Sequence, residues 1–344
     1  MNSILISDLH LTNNPRDAYR WKLFAWLRDV IPKHSVKYLF ILGDMTEEKD
    51  RHPAQLVNRV VDELLLTYRQ TGLTTIYVLR GNHDGTDPLT SYFRFLGKYP
   101  SIQFIETPFA APFCDREVLM LPHTTTPADA WKNVEMHLAN YIFMHATVKG
   151  AISESGQQLD GIPAGLLATA RRAKIYSGDI HVPQTVKSGR VEVEYIGAPH
   201  PIKFGDKFEP RAVLIENFRT AKSIPIPSIQ RQTLTITPKD AEIPLKTLRQ
   251  GDQVKVHIRL TPSEYGDWAQ IKKRVVSACN EAGVELCGLE LEKVESKIRL
   301  RTPTAVVTKD PKQIVTEFCT SNKVSTAVTN EGIKLLMETS HSAP

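Results

Sequence analysis

Six short apolar runs punctuate the first 180 residues: SILIS (3–7), VKYLFIL (36–42), TTIYVL (74–79), EVLML (117–121), NYIFM (140–144) and KIYS (174–177). They are rich in Ile, Val, Leu, Tyr and Phe, as strands are when a sheet is covered on both faces. Between them, Trp21, Phe24 and Leu27 within 18–31, and Leu56, Val60 and Leu64 within 54–70, recur at helical spacing. Strand and helix in alternation predict an α/β core. Further strands are expected at 191–196 and 211–216.

The pattern then changes. Pro225, Pro227, Pro238 and Pro244 interrupt 219–250, and no period is sustained there, which predicts a connector ending near Gly251. Beyond it, DQVKVHIRL reads as a strand. Trp268, Ile271, Val275 and Cys279 mark a helix over 266–282, with strands at 284–290 and 296–301. Helices are expected near 310–321 and 327–339, where Ile314, Phe318, Ile333 and Leu336 form an apolar stripe. The expected organisation is a main domain over 1–218, a connector over 219–250, a small α+β domain over 251–302 and a helical tail over 303–344.

Composition narrows the class. No apolar run in the 344 residues approaches the roughly 18–20 that a membrane helix needs. The start MNSILISDLH lacks the basic and apolar regions of a signal peptide. Cys114, Cys279, Cys287 and Cys319 show no paired spacing, as expected of reduced thiols in a cytosol, bacterial or phage-infected. The net charge of +5 is compatible with a polyanionic partner without establishing one.

The residues at the carboxyl end of each run are more specific. SILIS leads into Asp8-Leu9-His10, LFIL into Gly43-Asp44, and IYVL into Asn82-His83-Asp84; YIFM ends at His145, and KIYS leads into Gly178-Asp179-Ile180-His181. Ligands of open α/β sheets bind beyond the carboxyl ends of strands, so five strands deliver carboxylates, imidazoles and a carboxamide to one edge. A single D-x-H after a strand is more often a capped turn, and His34, His52, His123, His137 and His200 read as ordinary structural histidines. Five such ends together are different, because crowded carboxylates and imidazoles are costly without a cation. The mixed oxygen and nitrogen set suits Mn²⁺, Fe²⁺ or Zn²⁺. Asp8, His10, Asp44, Asn82, His145, Asp179 and His181 exceed what one ion takes and suffice for two ions about 3.5–4 Å apart.

The order D-x-H, GD, GNHD, H, G-x-x-H resembles the calcineurin-like metallophosphoesterase family over about residues 1–200. Within it, YSGDIHVPQ, YIGAPHPIKFGD and MHATVKGA resemble the SbcD branch of DNA-repair nucleases. The resemblance implies a four-layer sandwich of two mixed sheets flanked by helices, with a small α+β capping domain and a helical C-terminal segment that docks on an SbcC-like ATPase. It implies two divalent ions, Mn²⁺ first and Mg²⁺ as the alternative. Asp8, His10 and His181 would hold one ion, Asn82, His145 and residue 179 the other, and Asp44 would bridge them. His83 would be the catalytic general acid. The implied activity is exonucleolytic and endonucleolytic cleavage of DNA in repair or recombination. A homodimer is compatible with this, and a membrane is not expected.

There are two departures from the pattern. Asp179 stands where that branch has a histidine, so it is either an oxygen ligand favouring harder ions or a turn residue pointing away. Glu47, three residues after Asp44, would orient His83 or be solvated. Lys22, Arg171, Arg172, Lys174, Lys203 and Lys207 are cations that a phosphate track could use. The competing readings are another metallophosphoesterase, acting on small phosphodiesters or phosphoproteins, and an inactive scaffold of the same family.

Overall fold

The computed structural model describes residues 1–87, 90–170, 172–239, 248–293, 310–322 and 324–339. The chain divides into two units, 1–294 and 295–344. The first opens with β1 (Asn2–Ile6), α1 (Lys22–Lys33), β2 (Val36–Ile41), α2 (Ala54–Thr71), β3 (Thr75–Leu79) and β4 (Ile102–Ile105). It continues with β5 (Phe109–Phe113), β6 (Arg116–Leu121), the short α3 (Pro127–Ala130), β7 (Tyr141–His145), β8 (Lys174–Gly178), β9 (Gln184–Ser188) and β10 (Val191–Tyr195). β11 (Arg211–Glu216), β12 (Thr220–Pro225), β13 (Arg231–Ile236), β14 (Gln253–Leu260), α4 (Trp268–Ala282) and β15 (Glu285–Lys293) complete it.

Two mixed six-stranded sheets form, in the orders β12-β11-β1-β2-β3-β4 and β5-β6-β7-β8-β10-β9. Strand alternation explains how they stack. Leu5, Phe40, Tyr77 and Leu79 of the first sheet point inward against Phe113, Met120, Phe143 and Tyr176 of the second, forming the central core. Their neighbours Ile4, Ile6, Leu39, Ile41 and Val78 point outward, where Phe24, Leu27 and Ile31 of α1 and Leu56, Val60 and Leu64 of α2 cover them. Outside the second sheet, Ile142, Met144 and Ile175 are covered by Trp131, Met136 and Leu167 from short helical turns. The α/β sandwich of two mixed sheets flanked by helices is thus as the sequence led us to expect.

Register brings the functional ends together. β1, β2 and β3 run parallel, with Ile6 beside Ile41 and Ile41 beside Val78. In the second sheet β7 and β8 are parallel, with His145 beside Gly178. All five chemistry-bearing strand ends therefore emerge at one edge of the sandwich.

The stretch 219–250 differs from a plain connector. β12 pairs with β11 at the edge of the first sheet, and β13 pairs with β14 in a third sheet of order β13-β14-β15. Pro225 ends an edge strand, where a missing N–H costs no ladder bond, and Pro227 falls between the two strands. Val254, Val256 and Ile258 of the third sheet pack on Ile271, Val275 and Cys279 of α4. The strand expected at 296–301 lies outside the described residues. In the second unit, α5 (Pro311–Ser321) and α6 (Thr326–Thr339) contact each other, while Ile314, Phe318, Val328 and Leu335 are exposed. The side chain of Leu336 lies outside the described residues. No helix among the described residues is long and apolar enough to cross a membrane, and all four cysteines are free thiols.

Candidate metal centre

The loops that carry the candidate ligands are backbone-strained at the ligands themselves. Asp8 (φ 54°), His10 (φ 44°), Asp44 (φ 52°) and Asp179 (φ 83°) all take the left-handed conformation, which residues other than Gly adopt at a cost. Hydrogen bonds hold them there: Asp8 N–H to Gly43 O (3.2 Å), His10 N–H to Asp44 O (3.0 Å) and Asp179 N–H to Asp8 Oδ1 (3.0 Å). Asp84, the last residue of GNHD, is fully buried and accepts the N–H groups of Gly81 (2.6 Å), Asp44 (3.1 Å) and Met45 (3.2 Å), locking two strand-end loops together. Glycine is required beside them: a Cβ on Gly81 would collide with the Asp44 carboxylate, and one on Gly43 with the His145 ring.

These loops converge. Ligating atoms of three groups, Asp8–His10–His181, His10–Asp44–His83 and Asp8–Asp44–His145, lie within 4.8 Å of one another. His10 Nε2 and His181 Nε2 stand 3.1 Å apart, and Asp44 lies between His10 (3.5 Å) and His145 (3.4 Å). Asp44 thus faces both halves of the cluster. Asp179 lies outside the three tight groups, yet its Oδ1 reaches to 3.7 Å from His145 Nε2 while Thr147 donates to its Oδ2. Its side chain points toward the centre, not away.

Each histidine is braced from behind. His145 Nδ1 donates to Leu42 O and His83 Nδ1 to Glu47 O, both at 2.6 Å. That leaves the Nε2 of each ring directed at the cluster. Behind His10 lies the Glu47 carboxylate (3.2 Å from Nδ1), and behind His181 that of Glu154 (2.6 Å from Nδ1). Neither contact has aligned hydrogen-bond geometry, since both Nδ1 atoms lack a hydrogen-bond partner, so both act as close electrostatic contacts. A carboxylate in that place still favours the tautomer with hydrogen on Nδ1 and raises the basicity of Nε2. Glu47 therefore differs from expectation: its backbone carbonyl, not its side chain, orients His83, and its carboxylate serves His10.

The electrostatics call for a cation. Burial, with Asp8 and Asp84 nearby, pushes Asp44 up to about 8 against the pull of His145. Burial lowers His145, but Asp44, Asp179 and Asp8 outweigh it and push the ring up to about 9. Burial holds His10 down at about 4, so the ring stays neutral with a lone pair to offer. The neighbouring rings of His10 and His181 hold Glu47 and Glu154 at about 2, both ionised. Asn82 completes the picture. Its oxygen lies 2.9 Å from His145 Nε2; with the amide rotated, its nitrogen would instead donate to both Asp44 oxygens at 2.8 and 2.9 Å. An inward oxygen among acceptors is the arrangement a cation stabilises. The residues fit a pair of divalent ions.

The family model for calcineurin-like phosphoesterases matches residues 1–183, more than half of the chain. The chain belongs to the calcineurin-like phosphoesterase family. It is accordingly a phosphoester hydrolase, and members of this family work with divalent metal ions. No curated protein sequence matches the chain. A solved structure described as a novel archaeal phosphodiesterase aligns at 12% identity and a TM-score of 0.36, covering 65% of this chain and 99% of that one; at this level it carries no weight on activity.

For this phosphoesterase the structure adds residues the sequence did not single out. Glu154 lies in the loop just after MHATVKGA and belongs to no ligand pattern, and Thr147 and Asp84 lie inside motifs without a role that the motif itself shows. His123, read as an ordinary loop histidine, has its ring 6.1 Å from that of His145. Burial lowers it to about 4, with His145, Arg80 and Lys49 adding to the effect. His200 is buried and structural, as expected: its Nε2 donates to Leu9 O (2.8 Å).

Proposed function

We propose that this phosphoesterase hydrolyses phosphodiester bonds in DNA, by a two-metal mechanism, as an exonuclease and endonuclease of the SbcD type. The observation that supports a polymeric anion is a groove of about 390 Å³ that opens beside Glu47, between the sandwich and the third sheet. Arg16, Arg20, Lys203, Arg231 and Lys255 line it, against Asp17 and Glu47 as its acidic members. Phe204 lies in the same groove with Arg231 4.3 Å and Lys255 4.8 Å from its ring. Cations tracking a backbone beside an aromatic face are what single-stranded nucleic acid uses. Of the other candidate cations, Arg172 and Lys174 line a separate cavity of about 470 Å³ with Arg190 and Lys222, and Arg171 lies outside the described residues.

Asp8, His10 and His181 would hold one ion, Asn82, His145 and Asp179 the other, and Asp44 would serve both. Divalent ions in such a centre supply Lewis-acid polarisation of the phosphate and a nucleophile from water near neutral pH. The chain's own residues do the rest. His83 donates Nδ1–H to Glu47 O, so its Nε2 is oriented to pass a proton to the departing oxygen. Its backbone N–H donates to Asp44 Oδ1 (2.8 Å), which fixes the ring's distance from the cluster. The second unit, with Ile314, Phe318, Val328 and Leu335 exposed, is the part we assign to an SbcC-like ATPase partner. A cytosolic setting accords with four free thiols.

The test is Mn²⁺-dependent cleavage of linear duplex DNA and of bis(p-nitrophenyl) phosphate by wild type and His83→Ala. We expect DNA cleavage in wild type and a loss of about 10²–10⁴-fold in the variant with metal retained, the usual share of general acid catalysis. Cleavage of the small diester alone would favour a small-molecule phosphodiesterase instead.

A further inference from the structure

A second basic cavity lies on the His145 side of the centre, whereas the groove lies on the His10 side. Its volume is about 180 Å³, and it opens against Asn82. Lys49, Arg80 and His123 line it with Thr86, Thr124 and Thr125, and no carboxylate is among its lining residues. The ends of β3 and β6 build it. Arg80 follows β3, its N–H bonded to Ile105 O (3.0 Å) and its carbonyl accepting His123 N–H (2.8 Å), so these two side chains are brought into one space. The Arg80 guanidinium donates to Asp87 O (2.6 Å), and Thr86 gives both its N–H (3.2 Å) and its hydroxyl to the Asp50 carboxylate. The imidazole of His123 has no hydrogen-bond partner among the described residues. The cavity is smaller than the roughly 300–1,000 Å³ of pockets for drug-sized ligands, and its lining of cations and threonines matches a phosphate group in size and charge.

We propose that this cavity is a phosphate subsite, taking the phosphate that neighbours the scissile one in a nucleic-acid strand. This rests on the proposed phosphodiesterase activity. Asn82 borders both the metal cluster and the cavity, so a strand whose scissile phosphate sits at the cluster presents its next phosphate to Lys49, Arg80 and His123. The other arm of the strand runs toward the groove. Substrates with a phosphate on the correct side are then bound better than the bare diester.

The experiment measures kcat/KM, with Mn²⁺, for a dinucleoside monophosphate and for the same molecule carrying an extra phosphate at its 5′ or its 3′ end. One of the two phosphorylated forms is expected to exceed the bare one by about tenfold, mainly through KM, as a charge-assisted contact would give. Lys49→Gln, an exposed position where folding is not at issue, and His123→Ala should each cut that ratio by about 3–10-fold. Lys203→Gln, in the groove, should leave the ratio in place. Equal kcat/KM for all three dinucleotides, or a preference that survives Lys49→Gln and His123→Ala but vanishes in Lys203→Gln, overturns the subsite while leaving the phosphodiesterase reading intact. Failure to cleave any of the three overturns both.

Discussion

The two halves of the metal cluster are built from different materials. In one, Asp8 is joined by two imidazoles, His10 and His181, each with a glutamate behind it. In the other, a single imidazole, His145, is braced by a backbone carbonyl and surrounded by the oxygens of Asp44, Asn82 and Asp179. Imidazole-rich sets favour softer borderline ions such as Zn²⁺, and oxygen-rich sets favour Mn²⁺ and Mg²⁺. The difference teaches that one cluster can hold two unlike sites, with Asp44 as the residue that couples them.

Asp44→Ala should therefore have the largest effect, because the Asp44 carboxylate lies between His10 of one half and His145 of the other. Metal content of the purified variant should fall at both positions, with affinity down by more than the 10–100-fold typical of supporting residues, and hydrolysis should cease. Undiminished metal content would remove Asp44 from its bridging role. Asp179 comes next, since its carboxylate faces the His145 half only. Asp179→Ala should leave one ion per chain, whereas Asp179→His should stay active with its preference moved toward Zn²⁺. Donor type explains the shift, since imidazole suits Zn²⁺ better than carboxylate oxygen does, and formal charge explains the retained activity: two divalent ions less three carboxylates leave about +1, and a histidine at 179 leaves about +2 to attract the phosphate. Two ions and normal cleavage in Asp179→Ala would make that residue a turn element despite its inward side chain.

Much of this was legible in the sequence because the ligands terminate apolar runs, and strand ends of one sheet share an edge. The fold was legible where strands are covered on both faces. Of the strands not foreseen, β4, β5, β9, β12 and β13 are all sheet edges. Thr220–Pro225 illustrates why: four of its six residues are exposed in unbroken sequence, so no alternation remains to be read. Glu154 and His123 went unread for different reasons. Glu154 comes to the centre by tertiary packing from a loop whose local sequence carries no period, and a residue that only braces a ligand needs no fixed spacing from it; His123 follows the apolar run EVLML as the ligands follow theirs, but no motif sets it apart from an ordinary loop histidine. For Glu47, spacing shows only that it follows Asp44 by three residues, and the fold is needed to show that its carboxylate turns to His10 while its carbonyl meets His83.

Smaller effects sharpen the contrast between the halves. Glu154→Gln should weaken metal binding about tenfold at the His10–His181 half alone, and Glu47→Gln by less, since its side chain is 42% exposed. Isothermal titration of the metal-free variants reads both; equal losses at both positions would contradict the division. His200 supports the same half through Leu9, between Asp8 and His10. Burial holds it well below its ordinary 6.5, so the unfolded chain takes up a proton that the fold refuses. Its stabilisation is complete above pH 6.5 and is lost as pH falls from there toward the folded value. Between pH 7.5 and 5.5 the wild-type Tm should therefore drop by about 2–4 °C more than that of His200→Gln, a comparison for calorimetry of the metal-free proteins. Parallel curves would show that His200 does not resist protonation.

The central claim is that one edge of the sandwich holds two unlike divalent ions. Titration of metal-free wild-type protein with Mn²⁺ and Zn²⁺ in competition, with stoichiometry read by elemental analysis, addresses it most directly. Two ions per chain are expected, with Zn²⁺ displacing Mn²⁺ first from the Asp8–His10–His181 position and Mn²⁺ retained beside Asp44, Asn82, His145 and Asp179. A single ion per chain, or two positions that exchange both metals identically, would contradict it.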